Sequence, residues 1–279
     1  MKHAIMVEGH GDTADILQST IDWLNDSEID FSIHWDKKYK KPKLSSNKSK
    51  LFFVPRHRVV WGTDTQIKAE LELFRSVRDT GGYEFVHLIS ANDFPLMTVD
   101  YFKNYFNKNK NRLFIGIVDF NELTEHRIDW YYPFPKLNYR SLLGQRLVLP
   151  IVRGFNKLFR VSRLKNQDIT PLKGANWFSA PSTVLNTVLE FPKLNLFMHS
   201  FLADEMLLQT ITGGTLHHPA SDEYNTTIAR YIDWTRGIPY EFQPSDVDEL
   251  LIHLNSTYAF VRKVKNIDVV NSLISVINN

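Results

Sequence analysis

The stretch KHAIMVEGHGDTADILQSTIDWLNDSEIDFSIH, residues 2–34, decides the fold class of this chain. Its apolar start, residues 2–7, predicts a buried strand that ends at a glycine-rich turn. Residues 12–24 predict a helix, because apolar side chains recur there on one face. Residues 30–34 predict a second strand. A strand, a helix and a second strand in succession are typical of a parallel sheet with a right-handed crossover.

The same alternation continues through the first third of the chain. Short strands are predicted at residues 51–54 and 58–61, and a helix at 66–77, where apolar residues recur at helical spacing. A Gly-Gly pair at 81–82 ends that helix, and residues 84–90 predict another buried strand. The second half is patterned less regularly, with aromatic and proline-rich loops before further helical segments. We therefore expect an α/β fold in one domain, with an irregular C-terminal half.

Composition excludes several classes of protein. The 279 residues are 43% hydrophobic, and 33 Lys and Arg against 31 Asp and Glu leave a net charge of +2, which excludes a disordered chain and a generally basic nucleic-acid binder. The absence of cysteine excludes disulfides, thiolate metal sites and a cysteine nucleophile, and fits a reducing compartment. Apolar runs such as residues 147–152 are far shorter than the roughly 20 residues of a membrane span, and the AIMV run near the start is too short for a signal peptide. We expect a soluble, cytoplasmic protein.

Polar residues follow several predicted strands, at the edge where open α/β sheets bind their ligands. His34 and Asp36 form an HWD segment that either contributes ligand contacts or caps a turn. The segment SANDFPL at 90–96 likewise either binds a ligand or forms a turn before its proline. The adjacent His217 and His218 are interpreted as structural, and the chain has no HExxH motif that would indicate a zinc enzyme.

An acidic pair and several cations in the C-terminal part are candidates for catalysis. Glu205 begins a predicted helix, 205–211, whose dipole would favour the anionic form that a general base needs. Plain helix capping explains this acid equally well, with Asp204 as the cap. Paired cations can hold a diphosphate without a metal, although ordinary surface charge explains each of them as well. The cations considered are Arg230, Arg236, Arg262 and Lys263.

Residues 130–167 contain no Asp or Glu but eight Lys and Arg, with leucine, isoleucine and valine between them. A basic and apolar segment of this kind, here residues 136–165, is typical of contact with an anionic membrane surface. The alternative is an insertion whose charges are solvated.

Seven segments, taken in order, resemble one known family. They are IHWDKK (33–38), VVWGTDTQIKAELELF (59–74), HLISANDFPLMT (87–98), KGANWFS (173–179), ADEMLLQT (203–210), RYIDW (230–234) and FVRK (260–263). Together they resemble the core 2 and I-branching β-1,6-N-acetylglucosaminyltransferases, a family that includes the peptide xylosyltransferases. HLISANDFPLMT is the most specific, since it is similar to the family's LSGxDFPL signature.

The resemblance implies a fold and a reaction. It implies a GT-A type, Rossmann-like nucleotide-sugar domain over residues 1–279, with the nucleotide mainly on 1–100 and the acceptor, base and diphosphate on 101–279. It implies inverting transfer from a UDP-sugar, most commonly UDP-GlcNAc, to a glycan hydroxyl, without a bound metal or other cofactor. The only D-x-D triplet, DVD at 246–248, is interpreted as a helix start.

The resemblance also implies residue roles. Val7 matches the uracil-packing position, Asp36 and Trp61 match nucleotide contacts, and Asp93 lies near the donor sugar. Glu205 matches the catalytic base, and Lys263 matches the cation that neutralises the diphosphate. On the acceptor side the implied residues are Trp177 and Asp204. The second diphosphate cation is one of Arg230, Arg236 and Arg262.

Departures from the animal members suggest where the protein works. It has no cysteine and is shorter, and the residues near its start do not predict an N-terminal anchor. These differences suggest a bacterial enzyme of surface polysaccharide synthesis, cytoplasmic or peripheral at the inner face of the plasma membrane, with a glycan acceptor that is lipid-linked. Two alternatives stay open. One is a glycoside hydrolase that uses Asp93 and Glu205, and the other is a non-catalytic sugar-binding protein that stacks sugars on aromatic residues such as Trp130 and Trp177.

Overall fold

The computed structural model describes residues 1–118, 122–213 and 224–278. Its central sheet has the strand order β3-β2-β1-β4-β6, in which the first four strands are parallel and β6 is antiparallel to β4. A smaller sheet has the order β5-β8-β7. The strands are β1 His3–Gly9, β2 Ile29–Trp35, β3 Leu51–Phe53, β4 Phe85–Ser90, β5 Phe94–Pro95, β6 Phe178–Pro181, β7 Arg230–Ile232 and β8 Phe260–Arg262. The predicted α/β class is confirmed.

Helices cover the sheets and connect their strands. The helices are α1 Ala14–Trp23, α2 Asp64–Thr80, α3 Val99–Lys108, α4 Glu122–Asp129, α5 Leu149–Leu158, α6 Thr183–Leu189, α7 Leu207–Thr212, α8 Tyr224–Thr227, α9 Val247–Ile252 and α10 Ile267–Asn278. A π-helical segment, Gly144–Val148, runs directly into α5. Within the described ranges, no helix is long and apolar enough to cross a bilayer. His217 and His218 lie outside the described residues.

The central strands are buried because helices pack on both faces of the sheet. On β1, Ala4 and Met6 join the core that contains Ile67 and Phe74 of α2, whereas Ile5 and Val7 join the core that contains Leu17 of α1. This division follows the pleat, since successive side chains of a strand point to opposite faces. Each large apolar side chain buried in this way stabilises the fold by about 1.5–3 kcal/mol.

Local signals set the ends of α2. The Thr63 hydroxyl accepts a hydrogen bond from the Thr65 amide, which caps the first turn. Gly81 ends the helix with a φ of 69°, a conformation that an L side chain rarely adopts. The helix and its Gly-Gly end were predicted from the sequence and are confirmed. The helix start at 246–248 is confirmed too, because Gln243 and Asp246 form a capping box immediately before α9.

Two predicted elements differ from the structure. Residues 58–61 form no strand, because the segment's amides are bonded to side chains: the Val59 amide bonds to Asp36 Oδ1 at 3.3 Å, and the Val60 amide to Thr65 Oγ1 at 2.8 Å. The helix predicted from residue 205 begins later. Residues 203–205 form a 3₁₀ turn, and α7 follows with Met206 rather than Asp204 as its N-cap.

Candidate active site

A cavity of about 880 Å³ opens at the carboxyl edge of the central sheet. Its floor includes Glu8 and Gly9 at the end of β1 and Ser90 at the end of β4. Strand β2 pairs with one edge of β1, and β4 pairs with the other edge. The order of the strands therefore reverses at β1, and the cavity lies at this point. Open α/β sheets bind their ligands at such a position.

Most of the predicted site residues line this one cavity. They are Asp36, Trp61, Trp177, Asp204, Glu205, Arg262 and Lys263. They come from the end of β2, the segment before α2, the start of β6, the 3₁₀ turn before α7 and the end of β8. The predicted base and the predicted diphosphate cation therefore share one cavity, although they are far apart in sequence.

At the β2 side, Asp36 both forms a turn and faces the cavity. Its Oδ1 accepts a hydrogen bond from the Lys38 amide at 2.9 Å, and its Oδ2 lies 3.2 Å from Lys38 Nζ. His34 Nε2 accepts a hydrogen bond from the His57 amide at 2.9 Å. Burial, and then the neighbouring His57, lowers the pKa of His34 to about 4, so this imidazole is neutral at pH 7. His34 supports the turn around Asp36.

Val7 is fully buried and does not line the cavity. The next two residues, Glu8 and Gly9, do line it. Gly9 allows a close approach, because a Cβ at this position would lie 2.2 Å from the Trp35 ring. At this strand end, the chain thus presents Glu8 and bare backbone to the cavity.

Arg262 is held in a fixed orientation at the opposite side of the cavity. Its Nη1 donates to Asp93 Oδ1 at 2.7 Å, and its guanidinium lies over the Trp177 ring at 4.1 Å from the centroid. Asp93 is fully buried and does not line the cavity, so it acts on the cavity through Arg262. The other oxygen of Asp93 accepts a hydrogen bond from the Ser90 amide at 2.9 Å. The segment SANDFPL therefore forms a turn, which was one of its two interpretations.

Lys263 follows Arg262 and is only loosely paired. Its Nζ lies 4.0 Å from Glu241 Oε1, which Lys265 Nζ approaches to 2.5 Å. Burial, together with the charges of Lys265 and Arg262, lowers the pKa of Lys263 from its usual value. Asp93 neutralises Arg262, whereas the one carboxylate near Lys263, that of Glu241, is shared with Lys265. The remaining positive charge around Lys263 favours an anion.

Arg230 and Arg236 lie elsewhere. Arg230 is fully buried and donates to the carbonyl oxygens of Leu88 and Phe178, which ties β4 to β6. Arg236 pairs with Asp233, Asp246 and Glu249 on the outside. Neither arginine lines the cavity, whereas Arg262 does. Of the three candidates for the second cation, Arg262 is the one beside Lys263.

Glu205 is held by two cations that the sequence did not single out. Its Oε2 accepts a hydrogen bond from Arg127 Nη1 at 2.7 Å and lies 3.9 Å from Lys173 Nζ. The Gly174 amide donates to its carbonyl oxygen at 2.8 Å. The side chain is about one third exposed to the cavity. Arg127 and Lys173 therefore orient the side chain of Glu205, which lies two residues before the first residue of α7.

Three further carboxyl groups, those of Glu8, Glu70 and Asp204, form a cluster beside Glu205. Gln66 Nε2 donates to Asp204 Oδ2 at 3.0 Å. Burial and then the charge of Glu205 raise the pKa of Asp204 to about 7. Burial and then Asp204 raise the pKa of Glu8 to about 8, and burial with both neighbours raises that of Glu70. The cluster therefore holds protons near neutral pH.

The sequence carried a signal for some of the residues that were missed. Glu8 is the one acid in β1 and follows the apolar run AIMV, and Lys173 stands inside the quoted segment KGANWFS. Glu70 and Arg127 carry no such signal, because charged residues are ordinary on helices.

In the part of the chain that the structure describes, no group of three or more His, Asp or Glu is arranged to hold a metal ion.

A mostly parallel sheet with this cavity at its carboxyl edge is the arrangement of a GT-A-like glycosyltransferase fold. The family model described as Core-2/I-Branching enzyme matches residues 4–254, and the chain belongs to this family. No curated protein sequence matches the chain. The family consists of glycosyltransferases that use a nucleotide-sugar donor and a glycan acceptor, so the protein is a glycosyltransferase.

Proposed function

We propose that the protein transfers GlcNAc from UDP-GlcNAc to a hydroxyl group of a glycan acceptor, with inversion and without a metal ion. One observation carries this proposal: the carboxylate of Glu205 and the cations Arg262 and Lys263 line the same cavity. An acid that accepts a proton and a cationic pair that receives a diphosphate are the two charges that the reaction needs.

In the proposed reaction, Glu205 removes the proton of the acceptor hydroxyl while the oxygen attacks the anomeric carbon. The bond between that carbon and the UDP oxygen breaks on the opposite face, and its electron pair leaves with UDP. Arg262 and Lys263 stabilise the negative charge that develops on the diphosphate. A positioned base contributes about 10²–10⁴-fold to the rate.

The carboxyl cluster favours a neutral donor sugar. Glu8 and Asp204 line the cavity beside Glu205, and Glu70 is buried next to them. A carboxyl group that holds a proton can both donate and accept hydrogen bonds, so this wall can bind sugar hydroxyls and an acetamido group without a counter-ion. This pattern supports a neutral sugar such as GlcNAc as the donor.

The proposed biological setting is bacterial surface polysaccharide synthesis, in the cytoplasm or at the inner face of the plasma membrane. The acceptor in this proposal is a lipid-linked glycan, and residues 136–165 contact the membrane. The cysteine-free composition fits a reducing compartment, and the basic segment without acids fits an anionic surface.

The rival functions have less support. Asp93 is fully buried and bound to Arg262, so it does not face a substrate together with Glu205 as a hydrolase pair must. A non-catalytic sugar-binding protein would have no use for two adjacent cations beside a carboxylate. Membership in a transferase family favours the transferase over both.

A UDP-release assay tests the proposal. The purified protein is incubated with UDP-GlcNAc, UDP-xylose or UDP-glucuronic acid, with and without a mixture of glycan acceptors, in buffer with EDTA or with Mn²⁺. We expect acceptor-dependent UDP release, fastest with UDP-GlcNAc and unchanged by EDTA. Sugar hydrolysis without any nucleotide donor would favour the hydrolase. Activity that EDTA abolishes and Mn²⁺ restores would contradict the metal-free mechanism.

A further inference from the structure

The helical segment of residues 142–158 has an outer face that no described residue covers. On its inner face, Leu149 and Val152 are buried in a small core with Tyr132, Tyr139 and Phe201. On its outer face, large apolar side chains recur at four-residue spacing and are 54% to 74% exposed. We call this face the apolar ridge; it consists of Leu142, Leu143, Leu147, Ile151, Phe155, Leu158 and Phe159.

Cations surround the apolar ridge, and acids are absent from this part of the chain. Arg146, Arg153 and Lys157 are exposed along the same helical segment, and Arg160 is exposed just after its end. Among the described residues, no carboxylate forms an ion pair with any of these four cations. Residues 130–167 contain no Asp or Glu at all. The apolar ridge therefore carries a strong local positive charge, although the net charge of the chain is only +2.

We propose that the apolar ridge inserts into the headgroup region of an anionic phospholipid bilayer. A helix that lies in a membrane interface exposes one apolar face and carries Lys and Arg around it. The chemistry of the surrounding cations matches lipid phosphates, and the apolar side chains match the acyl boundary beneath them. Scattered exposed apolar residues need no partner, but a continuous ridge of this size marks an interaction surface.

The position of the apolar ridge gives it a use in the proposed function. Arg140, which immediately precedes the ridge, lines the cavity and stacks over the Trp61 ring at the cavity wall. The chain thus passes directly from the cavity to the membrane-binding face. An acceptor that is anchored in the same bilayer would be presented at the cavity. This use rests on the proposed transferase activity, whereas membrane binding itself does not.

Vesicle co-sedimentation tests the inference. The full chain is mixed with vesicles of phosphatidylcholine alone or of phosphatidylcholine with one third phosphatidylglycerol, at low and at physiological salt. We expect binding to the anionic vesicles that weakens as salt rises, because the cations contribute by an electrostatic attraction that salt screens. Equal binding to both kinds of vesicle, or no binding to either, would overturn the proposal.

Two variants separate the apolar from the electrostatic contribution. Combining Leu147→Ser, Ile151→Ser and Phe155→Ser removes the centre of the apolar ridge, and combining Arg146→Gln with Lys157→Gln removes two cations. Each variant is expected to lose about tenfold or more in vesicle affinity, because insertion needs buried apolar area as well as charge. The altered side chains are exposed, so both variants should retain the thermal stability of the wild type.

Matched controls and a second measurement keep the outcomes distinct. Ile252→Ser and Lys108→Gln change an exposed apolar residue and an exposed cation outside the ridge, and both should bind vesicles like the wild type. UDP release with a water-soluble acceptor should be the same in the ridge variants and the wild type.

A ridge variant that binds vesicles normally would refute the inference. A dimer in sedimentation analysis that the ridge variant dissociates, without vesicle binding, would assign the ridge to a second copy instead. Vesicle binding without any UDP release would leave this inference standing and would defeat the proposed transferase.

Discussion

Replacing Glu205 by Gln tests the central proposal most directly. The substitution keeps the size of the side chain and its ability to accept a bond from Arg127, but it removes the basic carboxylate. The side chains of Arg127 and Glu205 are 17% and 32% exposed, so exchanging their charged hydrogen bond for a neutral one should cost the fold about 1–2 kcal/mol. Turnover should fall by about 10²–10⁴-fold, which corresponds to about 3–5 kcal/mol in the activation barrier.

The assay combines UDP release under saturating donor and acceptor with calorimetric titration of UDP. Glu190→Gln is the matched control, because Glu190 is exposed at the end of α6 and does not line the cavity. We expect the Glu205 variant to bind UDP like the wild type and to lose turnover, and the control to lose neither. Wild-type turnover in the Glu205 variant would remove this residue from the role of base. Loss of UDP binding together with turnover would show that the residue acts in donor binding instead.

Three further predictions follow from the cavity. Lys263→Gln should weaken UDP binding by about ten- to a hundredfold in calorimetry, since a hydrogen bond to a charged group contributes about 1.5–3 kcal/mol; unchanged affinity would separate Lys263 from the diphosphate. The melting temperature should fall between pH 6.5 and 8, because the pKa values of Asp204 and Glu8 are raised to about 7 and about 8. The folded state then binds protons that the unfolded state has already released, so raising the pH costs stability, and Asp204→Asn should make the decline shallower. Gly9→Ala should lower the melting temperature, because its Cβ would meet the Trp35 ring at 2.2 Å; an unchanged melting temperature would show that the ring moves aside freely.

The amphipathic and buried elements of the first half were predictable because their signals are local. Helix α2 was expected from the spacing of its apolar residues and from the glycine pair that ends it. Both signals come from residues that are close together in the sequence. Residues 58–61 misled the prediction, since their β-branched and aromatic side chains favour a strand. Their amides bond instead to side chains, among them Asp36, which the chain brings near only after folding.

The candidate site also combines residues that the sequence indicated with residues that only the structure revealed. Glu205 and Lys263 were named from short segments that resemble the family, and family membership is confirmed by the match over residues 4–254. Their individual roles stay predictions. Arg127 was not foreseen, because nothing in the sequence places it 2.7 Å from Glu205. The choice of Arg262 over the other arginines likewise needed coordinates, because burial and ion pairs decide which guanidinium faces the cavity.

By itself, the sequence determined the parallel α/β architecture, the family and the identity of the chief candidate acid and cation. These depend on the periodicity of side chains and on short motifs, which are properties of neighbouring residues. Only the tertiary structure decided that the carboxyl groups of Glu8, Glu70 and Asp204 lie together beside Glu205, and that the apolar ridge faces outward. Charge coupling and exposure depend on distances between segments remote in the chain, and those distances exist only once the sheets and helices have packed.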